Sequence, residues 1–119
     1  MPSTVVAMDP STAVIAADRA DAVVIPTSMT IDNQGGGGNR VISIQDVFTP
    51  SVSNLVSGPS ETTVDRFRMR VDQGDMVTLG EEDLKGVRCL GKMEVTSKTT
   101  ANVLTADSAC YVTVGYKHE

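Results

Sequence analysis

Histidine and cysteine most often carry nucleophilic catalysis or bind transition metals, and this chain has few of either. His118 is the only histidine and lies next to the last residue, where a chain end is usually solvated. Mechanisms of the Ser–His or Cys–His type need a base beside the nucleophile, and a structural zinc site needs four Cys or His ligands. Together with Cys89 and Cys110, one terminal histidine supplies neither arrangement. We therefore expect no metal, no cofactor and no enzymatic activity, although a pocket built on carboxylates, lysine or cysteine stays open as an alternative.

The two cysteines leave two interpretations open. Cys89 and Cys110 could form a disulfide only if their strands are neighbours at a suitable Cα separation. Two cysteines far apart in sequence do not make a disulfide framework. We favour two buried thiols that act as small apolar residues.

Acidic and glycine-rich segments could in principle bind cations or phosphates. The run Glu81–Asp83 and the pair Asp72 and Asp75 occur where hydrophilic turns are expected, and neither has the ligand spacing of a calcium loop. The glycines at 35–38 precede a strand-like segment, whereas phosphate loops lead into a helix. The carboxylates therefore predict turns, and the glycines predict the flexible tip of a hairpin.

A row of arginines is the most distinctive local feature. Arg66, Arg68 and Arg70 alternate with Phe67 and Met69, so we expect three guanidinium groups on one face of a strand, roughly 6.5–7 Å apart. Such a row can pair with carboxylates across an interface. The alternative is a solvated face that is balanced by acidic residues on neighbouring strands.

Composition limits the partners and the compartment. The chain has 119 residues, 40% of them hydrophobic, and a formal net charge of −5. This charge argues against nucleic acid and anionic membranes as partners, since both attract basic surfaces. There is no apolar run of transmembrane length, and no Lys or Arg precedes Arg19, so we expect no classical secretory signal. We expect a cytoplasmic protein unless the chain is a virion component, in which case its location is the virion.

Period-two alternation dominates from Asp21 onward and predicts an all-β fold. From Val23 to Ile31 the odd positions are expected to share one face, and Phe67, Met69 and Val71 share another. Seven or eight short strands separated by Gly, Pro, Asp and Ser clusters indicate an antiparallel β-sandwich or barrel, with a jelly roll among the options. Residues 49–62 carry Pro, Gly and Ser and predict a long surface loop.

The first 20 residues differ in composition from the rest of the chain. Small and short apolar side chains are interrupted by Asp9-Pro10, and we interpret residues 1–20 as an extended N-terminal arm on a single β domain of residues 21–119. A short helix from Ser11 is the alternative.

These features favour a structural assembly protein, most concretely a phage or virus capsid decoration (cement) protein or a similar virion component. Its partners would be shell subunits or further copies of itself, bound through the arm and the loops. The candidate interface residues are Arg66, Arg68, Arg70, Val5, Val6, Val14 and Ile15. The alternative is a monomeric β-sandwich module that binds another protein through its loops.

Overall fold

The structure is a computed structural model that describes residues 3–8, 11–17, 22–48 and 61–119. Eight strands form in this part of the chain, and no helix is found among these residues. The strands are β1 (Ser3–Met8), β2 (Thr12–Ala16), β3 (Val24–Asp32), β4 (Arg40–Phe48), β5 (Thr62–Val71), β6 (Met76–Leu79), β7 (Lys92–Lys98) and β8 (Asp107–His118). The predicted surface loop at 49–62 falls mostly outside the described residues, and Thr62 belongs to β5.

The strands form two antiparallel sheets of four. Sheet 1 has the order β1-β8-β3-β6, and sheet 2 has the order β2-β7-β4-β5. The predicted all-β fold is confirmed, and of the two architectures considered it is the sandwich.

The strand pairing follows one simple rule. The first strand pairs with the last, β2 with β7, β3 with β6 and β4 with β5, as if one long hairpin had been rolled up. Two further ladders, β3–β8 and β4–β7, join these pairs within each sheet. This is the strand order of a jelly roll.

The core lies between the sheets and is built from aliphatic side chains. Met29, Ile31, Val112 and Val114 of sheet 1 are fully buried. Facing residues of sheet 2 are equally buried, namely Ile42, Ile44, Met93 and Val95. Because every second residue points inward, each strand also presents a row of side chains on the outside of the sandwich.

The alternation in β3 is not continuous. A register shift lies between Pro26 and Ser28, so Val24 and Pro26 are buried before it, and Met29 and Ile31 after it. The prediction that all odd positions share one face is therefore correct only beyond the bulge, because the extra residue moves the following side chains to the other face.

The N-terminal residues that we expected to form a separate arm are instead part of both sheets. β1 pairs with β8, and β2 pairs with β7. Met8 and Ile15 are buried in the core, and the Thr4 hydroxyl donates a hydrogen bond to the Ile15 carbonyl at 3.1 Å. The two strands thus close one side of the sandwich, which differs from an arm that stands apart from residues 21–119.

The glycine-rich segment is not the tip of a hairpin, because β3 and β4 belong to different sheets. It crosses from sheet 1 to sheet 2 and is held by hydrogen bonds. The Asn33 side-chain amide donates to the carbonyls of Gly38 and Val71, and the Gly37 N–H donates to the Asp107 carboxylate at 2.9 Å. At Gly36 a β-carbon would collide with the Asn33 side chain, so this close approach requires glycine.

Candidate functional site

The predicted row of three arginines is interrupted by a bulge. Ile44 pairs with Phe67 and Gln45 pairs with Asp65, so Arg66 is the extra residue between two ladder partners. A bulge of this kind redirects the side chain of the extra residue. Arg66 therefore leaves the face that Arg68 and Arg70 share.

Arg66 instead forms a partly buried ion pair with Asp46. Its Nε and Nη2 atoms donate to one Asp46 carboxylate oxygen at 3.1 and 2.8 Å. The Asp46 side chain is fully buried and also accepts the backbone N–H groups of Leu90 and Gly91, both at 2.9 Å. The Arg66 guanidinium additionally lies 5.6 Å from the ring centroid of Phe48. This cluster ties β4, β5 and the segment before β7 together.

Arg68 and Arg70 remain exposed on the outer face of sheet 2. Arg70 donates to Asp72 at 2.7 Å in a surface ion pair. Arg68 donates to the Asn102 side-chain oxygen at 2.9 Å, and it has no carboxylate within salt-bridge distance among the described residues. Among the residues that the structure describes, the partner of Arg68 is thus a neutral amide and not a carboxylate.

Of the four apolar interface candidates near the N-terminus, two face solvent and two face the core. Val5 and Val14 are exposed, at 64% and 47% of their surface. Val6 is half-buried and packs against the core, and Ile15 is buried within it. Only Val5 and Val14 can contact a partner without rearrangement of the sandwich.

The outer face of sheet 1 is assembled from all four of its strands. Register pairs place its members in two neighbouring rows, Val5–Thr113–Thr30–Thr78 and Ala7–Tyr111–Asp32–Met76. Tyr111 near the centre is 46% exposed and Met76 at one edge is 53% exposed. Asp32 is the only charged residue in the two rows, which we call the sheet 1 outer face.

The outer face of sheet 2 has the opposite character. Its register rows bring together Arg68, Arg70, Lys98, Asp65, Glu94 and Lys92. The charged side chains are therefore concentrated on the outer face of sheet 2, whereas the two rows of sheet 1 contain only Asp32, and Lys117 lies further along β8 on the same side. Sequence reasoning missed the sheet 1 outer face, because its rows combine residues more than 100 positions apart. The only local signal was the Tyr111 and Thr113 alternation within the last strand.

Both cysteines are buried and free, which confirms the favoured interpretation over a disulfide. Burial, reinforced by the negative charge of Asp46 and opposed by Arg66, raises the pKa of the Cys89 thiol to about 12. Burial and the nearby Asp107 carboxylate raise the pKa of Cys110 to about 11. Since the thiolate is the nucleophile and the metal ligand, both thiols are chemically quiet at neutral pH.

The remaining candidate groups lie at the ends of the sandwich. His118 is half-buried, with Nε2 3.3 Å from the Ala17 carbonyl oxygen, and it packs edge-on against Tyr116. The acidic run is part of a turn, as predicted, in which the Asp83 carboxylate accepts the Gly80 N–H at 2.9 Å. In the part of the chain that the structure describes, no three His, Cys, Asp or Glu side chains are grouped for metal binding.

A small depression lies beside this turn. Its volume is about 260 Å³, and it is lined by Ile25, Pro26, Glu81, Glu82, Leu84, Lys85 and Gly86. This is below the usual size of a small-molecule pocket, about 300–1,000 Å³.

The described residues contain no helix able to cross a membrane.

Comparison with protein-family models, with curated proteins and with solved structures gives no match to this chain. The surfaces of the sandwich are therefore the basis for inferring its function.

Proposed function

We propose that the protein is a non-enzymatic structural assembly protein, most concretely a phage or virus capsid decoration (cement) protein or a similar virion component. The observation that carries this proposal is the sheet 1 outer face, where large exposed side chains coincide with a near absence of charge. The partner is a protein surface of the shell, and the site of action is the virion.

The composition of this face is that of an interface centre. The cores of protein–protein interfaces are depleted in charged residues and enriched in Tyr and Met. Three of the exposed large apolar or aromatic side chains, Val5, Met76 and Tyr111, lie in its two rows. Tyr111 would be the anchor, since a tyrosine buries a large area and loses little side-chain entropy.

The charged outer face of sheet 2 would have a different role in the assembly. Lys92, Lys98 and Glu94 make this face less suited to docking than the sheet 1 outer face, because the centres of protein–protein interfaces are depleted in charged residues. Of the three arginines in the predicted row, Arg68 would form a salt bridge to a neighbouring subunit, because its partner among the described residues is an amide. Arg66 is already paired with Asp46, so we no longer assign it to the interface.

The jelly roll is compatible with this function and adds support by analogy of fold alone. The same architecture occurs in viral capsid domains, in lectins and in cupins, and a fold hosts many functions. The sheet 1 outer face is therefore the feature to test.

The test is sedimentation of the protein with large particles. A lysate of the organism that naturally makes the protein is separated on a sucrose gradient, the protein is detected with an antibody, and its fractions are examined by electron microscopy. We expect the protein to sediment with shell-like particles. Recovery only at the top of the gradient, as a free small protein, would contradict the proposal.

Two variants identify the surface involved. Tyr111→Lys places a charge at the centre of the sheet 1 outer face, and we expect the purified variant to lose rebinding to the isolated particles. Val103→Lys makes the same kind of change at an exposed loop position, and we expect it to bind like the wild type. The reverse result would favour the loop-based binding module instead.

A further inference from the structure

Among the described residues the two sheets end in four edge strands, and three of these strands carry features that discourage pairing with another chain. β6 has only four residues, β5 carries four charged residues and a bulge, and β2 has a register shift between Val14 and Ala16. Short length, charge and bulges are the devices by which natural proteins protect edge strands.

The fourth edge, that of β1, lacks these devices over most of its length. Its residues Ser3 to Ala7 pair with β8 in unbroken register, and the irregularity comes only between Ala7 and Met8. The strand contains no charged residue and no proline. Among the described residues no strand covers its outer edge. An extended, uncharged edge of this kind is a template for a further strand.

We propose that β1 pairs antiparallel with β1 of a second copy of this chain, across a two-fold axis, and joins two copies of sheet 1 into one eight-stranded sheet. This deepens the assembly function proposed above, on which it rests, by naming a partner and a contact.

A second copy is the occupant that the backbone and the charges favour. An antiparallel pair of identical strands is self-complementary, because under a two-fold axis each free N–H of one copy faces a carbonyl of the other. The chain carries a net charge of −5, so two copies repel each other over most of their surface. β1 and β2 contribute no charge from Ser3 to Met8 or from Ser11 to Ala17, so no like charges meet along the strands themselves, although Asp9 lies between them in the sequence.

The side chains near this edge are suited to the contact. Val5 is the most exposed of the large hydrophobic residues that the structure describes, and in an antiparallel pair centred near it two such valines would become cross-strand neighbours. The hydrogen bond between Thr4 and the Ile15 carbonyl fixes β1 against β2. β1 is therefore already ordered in the monomer, so it loses little conformational entropy when it pairs.

The expected dimer is weak. Six residues extend about 20 Å, and a contact one strand wide buries less than the roughly 1,200 Å² of a stable complex. We expect dissociation in the micromolar to millimolar range. Such a contact becomes effective when a shell holds two copies side by side, because the local concentration is then high.

The test is the molar mass by light scattering or sedimentation equilibrium, from about 10 μM to about 1 mM. We expect the mass to rise from that of the 12.6 kDa monomer towards twice this value. High salt should not reverse the rise, since no charges meet in the contact. A monomer at every concentration, or a discrete trimer, would overturn the pairing.

Two variants make the test specific. Val5→Lys brings two like charges together at the contact and should leave a monomer throughout, while its exposed position leaves the fold intact. Met76→Lys makes the same change at the opposite edge of sheet 1 and should dimerise like the wild type. Equal loss in both variants would contradict pairing at β1.

The outcome is independent of the particle test. If the protein dimerises but does not sediment with particles, the β1 contact is supported and the virion function is contradicted. If the protein is a monomer and does sediment with particles, the virion function is supported and the β1 contact is contradicted.

Discussion

At the residue scale, the most consequential side chain is Asp46, a fully buried carboxylate. It accepts two hydrogen bonds from Arg66 and one each from the N–H groups of Leu90 and Gly91. The negative charge is tolerated inside the sandwich because all of these donors converge on it. The same charge contributes to the raised pKa of Cys89.

Removing this carboxylate should strongly destabilise the fold. Asp46→Ala leaves the Arg66 charge and two N–H groups without their partner, and we expect the free energy of unfolding to fall by about 3–5 kcal/mol. Urea denaturation followed by circular dichroism measures the change.

The exposed pair of Arg70 and Asp72 provides the matched control. Both side chains are more than half exposed, so Asp72→Ala should cost no more than about 1 kcal/mol. A similar loss in both variants would show that burial of the Asp46 pair is not what stabilises the fold.

The thiols make a second prediction at this scale. Because Cys89 and Cys110 have pKa values of about 12 and 11 in the folded protein, neither should react with a disulfide reagent at pH 8 unless the chain is unfolded. Both should react fully in guanidinium chloride. Rapid labelling of the native protein would contradict their burial.

The same shifts give stability a definite dependence on pH. The unfolded chain begins to lose the thiol protons near the ordinary cysteine pKa of 9.0, while the folded chain retains them to about pH 11–12. The unfolded state then binds fewer protons, so the thiols' contribution to stability is complete below pH 9 and is lost as the pH rises from 9 to 12. Replacing both cysteines with alanine should make this loss smaller.

Single residues were partly predictable from sequence. Burial of the cysteines and the turn at Glu81–Asp83 followed from residue type. The fate of Arg66 did not, because a bulge is a relation between two strands, and alternation within one strand carries no sign of it.

At the scale of elements, the largest difference from expectation concerns β1 and β2. Their sequences are short, small and weakly alternating, which resembles a mobile arm. Their partners β8 and β7 lie at the far end of the chain, and a long-range pairing of this kind leaves no local trace. Tertiary contacts therefore decided the conformation of residues that local composition left open.

This difference reverses the expected result of an N-terminal truncation. An arm could be removed without harm, whereas deletion of residues 1–20 takes away β1, β2 and the core residues Met8 and Ile15. We expect the fragment 21–119 to be unfolded or aggregated, because two new sheet edges and part of the core become exposed. The far-ultraviolet circular dichroism spectrum and the amide proton dispersion measure this.

A well-dispersed spectrum of the fragment, with a cooperative thermal transition, would show that the β1 and β2 pairings are dispensable. It would return residues 1–20 to the role of an arm.

At the scale of the whole molecule, the class of fold was predictable and its surfaces were not. Regularly spaced turn residues predict an antiparallel sandwich, because each short strand must return across the core. The sheet 1 outer face arises only when Val5, Thr30, Thr78 and Thr113 are placed in one row by the rolled topology. Because this surface combines four segments that are distant in the sequence, no local sequence pattern predicts it.

The nested strand pairing also predicts the order in which the strands fold. The pair β4–β5 closes the shortest chain segment of the four, and β1–β8 closes the longest, from Ser3 to Gly115. The entropic cost of closure grows with the segment, so the topology favours folding from the middle of the chain outward. During synthesis β1 emerges first, yet it gains its partner only when β8 has been made. The edge that we propose for dimerisation is therefore completed last, which delays association until each copy has finished folding.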